Sequence, residues 1–260
     1  MSRMPVIFFG HGSPTNALED NRYTRSWGQI ASALKEKPKA ILCISAHWCT
    51  RGTAVTAMQK PRTLHDFGGF PKLNKVQYPA PGSPELAEKV AGLLDRKVGQ
   101  DKSWGLDHGS WSVLVHAFPK ADIPVVQLSV DVSLTPEQRF AIGEQLTPLR
   151  DEGVLIVASG NIVHNLATME WSKNAQPYPW CTEFNDYIIE AMKKRHTDKI
   201  LDVESLGLIT GRNHPTPDHF WPLQYFIGTR MSGDKLKVFT PQIVFKSLSM
   251  ASFVFEPQND

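Results

Sequence analysis

Cysteines are few in this 260-residue sequence, and long apolar segments are missing. The three cysteines, Cys43, Cys49 and Cys181, show no CxxC spacing, which argues against a disulfide framework or a zinc ribbon and favours a reducing compartment. No stretch approaches the ~20 apolar residues that a membrane-spanning helix needs. The apolar run near the N-terminus ends at Gly10 and is too short for a signal peptide. These absences predict a cytoplasmic protein that does not bind a membrane.

The sequence also has no large excess of basic or of acidic residues. The 28 lysines and arginines nearly balance the 26 aspartates and glutamates, giving a formal charge of +2, so no general attraction to nucleic acid is expected. The sequence contains no GxSxG, GxGxxG, GxxxxGKS/T or HExxH segment, which argues against the enzyme and nucleotide-binding classes that these motifs mark. The expected partner is a small molecule, and the oligomeric state stays open.

The residues that are present predict alternating strands and helices. Apolar runs rich in Val, Ile and Leu are typical of strands buried on both faces of a parallel sheet, and capping residues such as Ser83 and Thr135 indicate helix starts between them. This alternation predicts a single α/β domain over residues 1–260, with a mainly parallel central sheet flanked by helices. The predicted strands lie at 4–9, 39–46, 53–58, 123–130 and from 153, with two short ones near the C-terminus, and the predicted helices at 22–36, 83–96, from 135 and at 180–196.

Three of the apolar runs lead to a histidine: His11, His47 and His164. Open α/β sheets bind ligands beyond the carboxyl ends of their strands, so these histidines are predicted to converge. We expect His11 and His47 to bind a metal, while His164 is either a ligand or a proton-transfer group. A histidine-rich site favours zinc or iron over magnesium or calcium. The segments are VIFFGHGSP (6–14), AILCISAHW (40–48) and GVLIVASGNIVHN (153–165).

Polar residues cluster again in GRNHPTPDHFWPL, residues 211–223. The prolines prevent a regular helix before Pro217 and favour a loop followed by a helix. His219 or Asp218 can complete the metal site from the first turn of that helix, with His214 as a further candidate ligand. A proline-stiffened surface turn is the alternative interpretation.

The remaining histidines carry weaker signals. His108 lies beside Asp107 in LDHGSW, and a carboxylate can set the tautomer or the charge of an imidazole, although neighbouring side chains do not automatically meet. His116, in an apolar helical run, is expected to be a core residue, and His196 is expected on the surface. For His65 the sequence favours neither a structural nor a functional role.

A long irregular stretch covers residues 59–82. Loops of this length in a compact domain are usually functional. Its aromatic residues Phe67, Phe70 and Tyr78 either form the wall of a ligand pocket or lie on a plain surface loop.

Five short motifs, read in order, resemble those of a known family. Together they resemble the class III extradiol ring-cleavage dioxygenases, the superfamily of the protocatechuate 4,5-dioxygenase catalytic subunit, and within it the branch of 4,5-DOPA extradiol dioxygenase-like proteins. The resemblance spans residues 10 to about 223 and implies an α/β fold with one mononuclear, non-haem metal at the carboxyl ends of the strands. The motifs are GHGSP (10–14), SAHW (45–48), LDHGSW (106–111), SGNIVHN (159–165) and HPTPDHFWPL (214–223).

The resemblance also implies a reaction and a role for each motif residue. The substrate would be a catechol, DOPA in particular, cleaved next to its diol with dioxygen as co-substrate, and the seco-acid formed from DOPA would cyclise without the enzyme. The metal would be one divalent ion, Zn²⁺ or Fe²⁺. The implied metal ligands are His11, His47 and His219, the implied catalytic acid–base residues are His108 and His164, and the implied substrate contacts are Asp107 and His214.

His219 departs from the better-studied members of the superfamily, which have a glutamate as the third ligand. Two histidines and one carboxylate leave open positions for Fe(II) oxygen chemistry, whereas three histidines also form a good zinc site. Two alternatives therefore remain. One is a zinc hydrolase in which His164 shuttles the proton of an activated water. The other is a metal-holding binding protein of the same fold without oxygenase turnover.

Overall fold

An eight-stranded sheet forms the centre of the structure, a computed structural model that describes residues 2–172 and 174–258. Met1, Lys173 and residues 259–260 of the predicted domain lie outside the described residues. The strands are β1 (Val6–Gly10), β2 (Ala40–Thr50), β3 (Thr53–Thr56), β4 (Val98–Asp101), β5 (Val125–Asp131), β6 (Val154–Gly160), β7 (Lys235–Phe239), β8 (Ile243–Val244), β9 (Leu248–Ser249) and β10 (Ser252–Glu256).

Helices connect these strands. Within the described residues, no helix combines the length and the apolar character needed to cross a bilayer. The helices are α1 (Arg22–Ser32), α2 (Pro84–Leu93), α3 (His108–Ala117), α4 (Pro136–Gln145), α5 (Pro148–Asp151), α6 (Pro179–Lys194), α7 (Thr197–Leu201), α8 (Leu208–Asn213) and α9 (Trp221–Gly228), and the short 3₁₀ turns are Pro14–Leu18, Leu73–Lys75, Leu166–Thr168, Val203–Leu206 and Pro217–His219.

The order of strands in the sheet is β4-β3-β5-β2-β6-β1-β10-β7. The central strands β5, β2, β6 and β1 are parallel, because helical connections return the chain across the faces of the sheet. At one side β10 and β7 add antiparallel strands, and at the other β3 pairs with β5 in antiparallel orientation. The predicted α/β fold with a mainly parallel sheet flanked by helices is confirmed.

Alternate residues of the central strands pack into two cores on opposite faces of the sheet. In β1, Val6 and Phe8 belong to the core that also contains residues of α4, α6 and α9. Ile7 and Phe9 belong to the core formed with α1 and α3. Because side chains alternate along a strand, a strand buried on both faces must be apolar at every position, which explains the continuous apolar runs in the sequence.

Side-chain caps begin the helices next to the sheet. Ser83 and Thr135 accept hydrogen bonds from the first turns of α2 and α4, as predicted. Asp107 caps α3 by accepting from the backbone N–H of Ser110 at 3.1 Å. Such caps satisfy N–H groups that the helix leaves unpaired. The cap at Asp107 makes His108 the first residue of α3.

Three differences from the prediction concern the strands of the sheet and its C-terminal edge. β2 continues to Thr50 instead of ending at residue 46, so His47 lies inside a strand. The sequence does not predict β4, because this short edge strand, VGQD, lacks buried apolar residues. The C-terminal run KVFTPQIVF was expected as one strand, but it is divided between β7 and β8, with Thr240 at a φ of 44° turning the chain between them.

A buried ion pair joins three distant parts of the chain. Arg150, at the end of α5, donates to both carboxylate oxygens of Asp234 at 2.7 and 2.9 Å, and its side chain is 0% exposed. The same guanidinium donates to the carbonyls of Met4, before β1, and of Thr229, after α9. The arginine therefore holds the amino end of the central strands against the segment that leads into β7.

Replacing Arg150 with methionine should destabilise the protein by about 3–5 kcal/mol, because it leaves the carboxylate of Asp234 buried without its partner. Urea unfolding measures the change. Lys37→Met is the matched control: it removes one cation from the exposed pair with Asp122, so its urea midpoint should stay close to that of the parent protein. Equal midpoints for the two variants would contradict the role of the buried pair.

Candidate active site

Five histidines from separate parts of the chain meet at the carboxyl ends of β1, β2 and β6. His11 directly follows β1, His47 lies near the end of β2, and His164 follows β6 after a short loop. His108 is the first residue of α3, and His219 is the last residue of the turn before α9. The structure thus brings together all five histidines to which the sequence assigned a metal-binding or catalytic role.

A local irregularity of β2 accommodates His47. The pairing of β2 with β5 shifts register between Ile44 and Cys49, and such bulges re-aim the side chains of a strand. The backbone of α3 passes close by, since a Cβ added at Gly109 would lie 2.3 Å from Ser45 Oγ and 2.8 Å from His47 Cδ2. A glycine is therefore required beside His108 for the helix to begin this close to His47.

The ring nitrogens of three histidines face one another. His11 Nε2 lies 3.2 Å from His47 Nε2, and one nitrogen from each of His11, His47 and His219 falls within 4.8 Å of the others. Lone pairs this close repel unless a cation or a proton lies between them. Three imidazoles with an open position suit zinc and, among the other transition metals, iron, so the residues present fit a divalent metal.

Hydrogen bonds to the outer nitrogens determine which tautomers these rings adopt. The hydroxyl of Ser159 donates to the carbonyl of Gly109 at 2.6 Å, so it must accept from His11 Nδ1–H, 3.0 Å away. Likewise, Nδ1–H of His219 donates to the carboxylate of Asp218. In both rings Nε2 is then left unprotonated and available to a metal, the arrangement that outer hydrogen bonds produce in known metal sites.

Burial keeps these imidazoles neutral. It lowers the pKa of His11 and of His219 well below the ordinary value, and nearby histidines lower it further. Burial, with the charge of His108, also lowers the pKa of His47 to about 3. Because only neutral imidazole binds a metal, the three rings are in their binding form at neutral pH.

The other two histidines flank this cluster. The ring of His108 lies 3.7 Å from that of His47, and the ring of His164 stacks on His219 at 3.5 Å with the planes 5° apart. Both face a cavity of about 210 Å³. The cavity is lined by His11, Gly12, Ser13, Pro14, His47, Phe67, Phe70, His108, His164, Leu166, Met169, Trp171, His219 and Leu248.

The two residues expected to contact substrate lie behind the cavity lining. Asp107 is 0% exposed, and its carboxylate accepts from Ser45 Oγ and Gln127 Nε2 at 2.7 and 2.8 Å. His214 donates from Nε2 to the carbonyl of Ile162 at 2.8 Å and is also buried. Both side chains therefore support the backbone and side chains around the site.

The long loop contributes to the cavity as one of the two interpretations predicts. Phe67 and Phe70 line it, whereas Tyr78 is buried elsewhere with its hydroxyl donating to the carbonyl of Phe118. His65 has a structural contact, since its Nε2 donates to the carbonyl of Val76 within the loop. His116 is half-buried and donates to the carbonyl of Asn16, consistent with a core residue.

Several site residues are not predicted by the sequence. Asp66 accepts from His108, and Ser159 accepts from His11. The opposite wall of the cavity, from Leu166 to Trp171, belongs to an irregular segment after β6. Only their positions in the sequence could have indicated a role in the site, because Ser159 lies at the end of β6 and Asp66 lies in the loop with the aromatic residues.

Comparison with known proteins identifies the family. The family described as "Catalytic LigB subunit of aromatic ring-opening dioxygenase" matches residues 4–256. The chain belongs to this family. It is an extradiol aromatic ring-opening dioxygenase, and the family implies a metal cofactor and a small aromatic substrate. The predicted superfamily and enzyme class are confirmed.

Individual relatives support the same conclusion. A protein of Escherichia coli (strain K12) named 4,5-DOPA dioxygenase extradiol is 48% identical over 96% of this chain and 94% of its own length. A protein of the same name from Beta vulgaris is 37% identical over 90% of this chain and 89% of its own. The crystal structure of an uncharacterized protein from Escherichia coli K12 superposes with a TM-score of 0.85, at 42% identity, covering 98% of this chain and all 100% of that one.

Replacing His11 or His47 with alanine should abolish stoichiometric metal binding, because each change removes a neutral nitrogen from the converging set. Metal content after dialysis, measured by mass spectrometry, tests this, and circular dichroism should show a nearly unchanged fold. His196→Ala is the control, since His196 follows α6 and does not line the cavity. Full metal occupancy in both ligand variants would exclude the assignment.

The metal-free protein should lose stability as the pH falls from about 6.5 toward 4. Burial lowers the pKa of His164 and of His214 to about 4, so below 6.5 the unfolded chain binds protons that the folded chain does not, and acid favours unfolding. Each such histidine contributes on the order of 1–2 kcal/mol between pH 6.5 and pH 5. Urea midpoints in the presence of a chelator measure this. His214→Gln should show a shallower pH dependence, and an unchanged slope would contradict the assignment.

Proposed function

We propose that this chain is a metal-dependent dioxygenase that opens the ring of catechols by cleavage next to the diol. The observation that carries the proposal is the convergence of three neutral imidazoles in one cavity with two further histidines. A set of neutral ligands with open positions suits a diol, and the two additional imidazoles suit the proton transfers that ring opening requires.

His11, His47 and His219 would hold the metal through Nε2. The metal, when bound, would supply the Lewis-acid and redox chemistry that brings a deprotonated catechol and dioxygen to reaction. The contribution of the protein is to direct the three nitrogens to one point, through Ser159 on His11 and Asp218 on His219.

The walls of the cavity suit the ring of a catechol. Phe67 and Phe70 come from the loop before α2, and Leu166, Met169 and Trp171 come from the segment after β6. These apolar side chains give a flat substrate an apolar surface between two loops, on which Leu166 and Trp171 are themselves more than half exposed. Holding the reactants together in such a site replaces a bimolecular encounter.

His164 is suited to accept a proton from the substrate. Its backbone is fixed by a hydrogen bond from its N–H to the carbonyl of Asn213 at 2.9 Å, and its ring is fixed by stacking on His219. Burial lowers its pKa to about 4, with the charge of Asp218 opposing this effect. The ring is therefore neutral at neutral pH and able to act as general base.

His108 is suited to hydrogen-bond the oxygen-derived group and to donate a proton as the ring opens. Its Nδ1–H is used in a hydrogen bond to the carboxylate of Asp66, which leaves the lone pair of Nε2 facing the cavity. Nε2 would therefore first accept a proton, the second hydroxyl proton of the catechol, and then return it to the oxygen-derived group as the ring opens. Asp107 and His214, which the sequence placed on the substrate, are proposed instead to position this machinery: Asp107 by capping the helix that begins at His108, and His214 by holding the carbonyl of Ile162.

Within the catechols, we propose DOPA as the specific substrate, because relatives from bacteria and plants carry the name 4,5-DOPA dioxygenase extradiol. Cleavage between carbons 4 and 5 would give a seco-acid that cyclises spontaneously. The second candidate function is a zinc hydrolase, favoured by one observation, the three-histidine ligand set. The two proposals differ in whether oxygen is consumed.

Loading the protein with Fe(II) under anaerobic conditions and then adding DOPA and air should consume one oxygen molecule per catechol and yield a yellow ring-opened product. A series of simple catechols is tested in the same way beside DOPA. A folded, fully iron-loaded sample that consumes no oxygen with any of them would reject the oxygenase, and ester hydrolysis by the zinc-loaded protein would then support the alternative.

His164→Gln should retain the metal and lower turnover by roughly 10²-fold, the usual contribution of a positioned acid–base group. His116→Gln is the matched control, because it changes a histidine outside the cavity lining, and it should keep near-parental turnover. If His164→Gln instead loses its metal, His164 is a fourth ligand and the base lies elsewhere.

A further inference from the structure

A single carboxylate from the long loop contacts one of the acid–base histidines twice. Asp66 Oδ1 accepts from the backbone N–H of His108 at 2.9 Å, and Asp66 Oδ2 accepts from His108 Nδ1–H at 2.9 Å. The same Oδ2 lies 3.8 Å from Nδ1 of His47. One side chain therefore lies beside the proposed metal ligand His47 and is hydrogen-bonded to His108, the residue proposed to donate a proton.

Both oxygens of the Asp66 carboxyl group face N–H groups of His108, the pattern that a carboxylate, the ordinary state of aspartate at neutral pH, satisfies by accepting twice. Its side chain is 18% exposed, so the carboxylate is only partly screened by water. An ionised carboxylate has no proton to donate, and both nitrogens of His108 that it meets must therefore be donors.

We propose that Asp66 is a positioning residue that holds His108 as the tautomer protonated on Nδ1, with Nε2 turned to the cavity. This inference rests on the proposed function, in which His108 exchanges a proton through Nε2. A carboxylate on the outer nitrogen of a histidine fixes both the orientation of the ring and the site of its proton.

The loop does not depend on Asp66 for its attachment. The indole N–H of Trp111 donates to the carbonyl of Leu64 at 2.7 Å, and the backbone N–H of Leu64 donates to the carbonyl of Leu106 at 2.7 Å. Phe67 adds an edge contact to the ring of His108 at 5.3 Å. These contacts hold the loop on α3, so the hydrogen bonds of Asp66 are available to orient His108.

Direct metal binding by Asp66 is the competing role, since Asp66, His47 and His108 also place ligand atoms within 4.8 Å of one another. Two observations favour the outer position. Both oxygens of Asp66 are already engaged by His108. In addition, the nitrogen of His47 nearest to Asp66 is Nδ1, whereas Nε2 of His47 faces His11.

Asp66→Asn tests the proposal with almost no change of shape. The amide has one acceptor oxygen, so when that oxygen accepts from the backbone of His108, its NH₂ group faces Nδ1 and favours the tautomer protonated on Nε2. We expect unchanged metal content and a kcat lowered by roughly 10- to 100-fold, the range for changes in outer hydrogen-bond partners, with KM for a catechol changed by less than about threefold.

A second measurement does not depend on turnover. Nitrogen-15 spectra of zinc-loaded, histidine-labelled protein, with His108 assigned by its loss in His108→Gln, should show the proton of His108 on Nδ1 in the parent and shifted toward Nε2 in Asp66→Asn. Because this spectrum needs no oxygen or catechol, it tests Asp66 even if the parent protein fails to cleave any catechol.

Arg62→Ala is the matched control for the loop. It removes an exposed anchor, the hydrogen bond from Arg62 Nε to the carbonyl of Trp104, and it keeps Asp66. We expect it to retain the parental tautomer and turnover within about twofold. Loss of metal in Asp66→Asn, an unchanged tautomer, or an effect confined to KM would each overturn the positioning role.

Discussion

The site depends on one constraint: a buried imidazole that is to hold a metal needs a partner for its outer nitrogen, so that its inner nitrogen is left unprotonated and points at a shared centre. Ser159 provides this partner for His11, and Asp218 provides it for His219. Without these partners, the proton of a neutral imidazole has no fixed position, and the lone pairs have no common direction. The hydrogen bonds around the rings therefore determine the chemistry of the rings themselves.

The fold supplies these partners because parallel strands end at one edge of the sheet. β6 carries Ser159 beside the end of β1, where His11 begins its loop, and the register of the two strands pairs Ser159 with Phe9. Past β6, the backbone N–H of Asn161 donates to the carbonyl of His219 at 2.9 Å. This bond places the turn that carries His219 over the strand ends, although more than fifty residues separate it from β6 in the sequence.

The predictable part of the site is the part that is encoded locally. An apolar run followed by a histidine is visible in the sequence, and the rule for parallel sheets then brings His11, His47 and His164 to one edge. The partners are not visible in this way, because the bond from His11 to Ser159 joins residues 148 positions apart and the bond from His108 to Asp66 joins residues 42 apart. Motifs reveal the strand-end residues, whereas tertiary contacts select the tautomers.

The α/β class could be predicted from the periodicity of apolar residues, but the extent of β2 could not. A bulge lets β2 continue its pairing with β5 beyond the apolar run.

The proposed three-histidine ligand set gives the nearby carboxylates a role. Three neutral ligands do not offset the charge of a divalent ion, and an uncompensated charge in a buried site is costly. The carboxylate of Asp218 is hydrogen-bonded to His219, and that of Asp66 lies 3.8 Å from Nδ1 of His47. They offset part of that charge without occupying a position in the cavity, whose described lining contains no carboxylate. In the proposed reaction, the remaining positive charge would favour an anionic catecholate over a neutral catechol, so the same arrangement that leaves the inner positions open would also select the deprotonated form of the substrate.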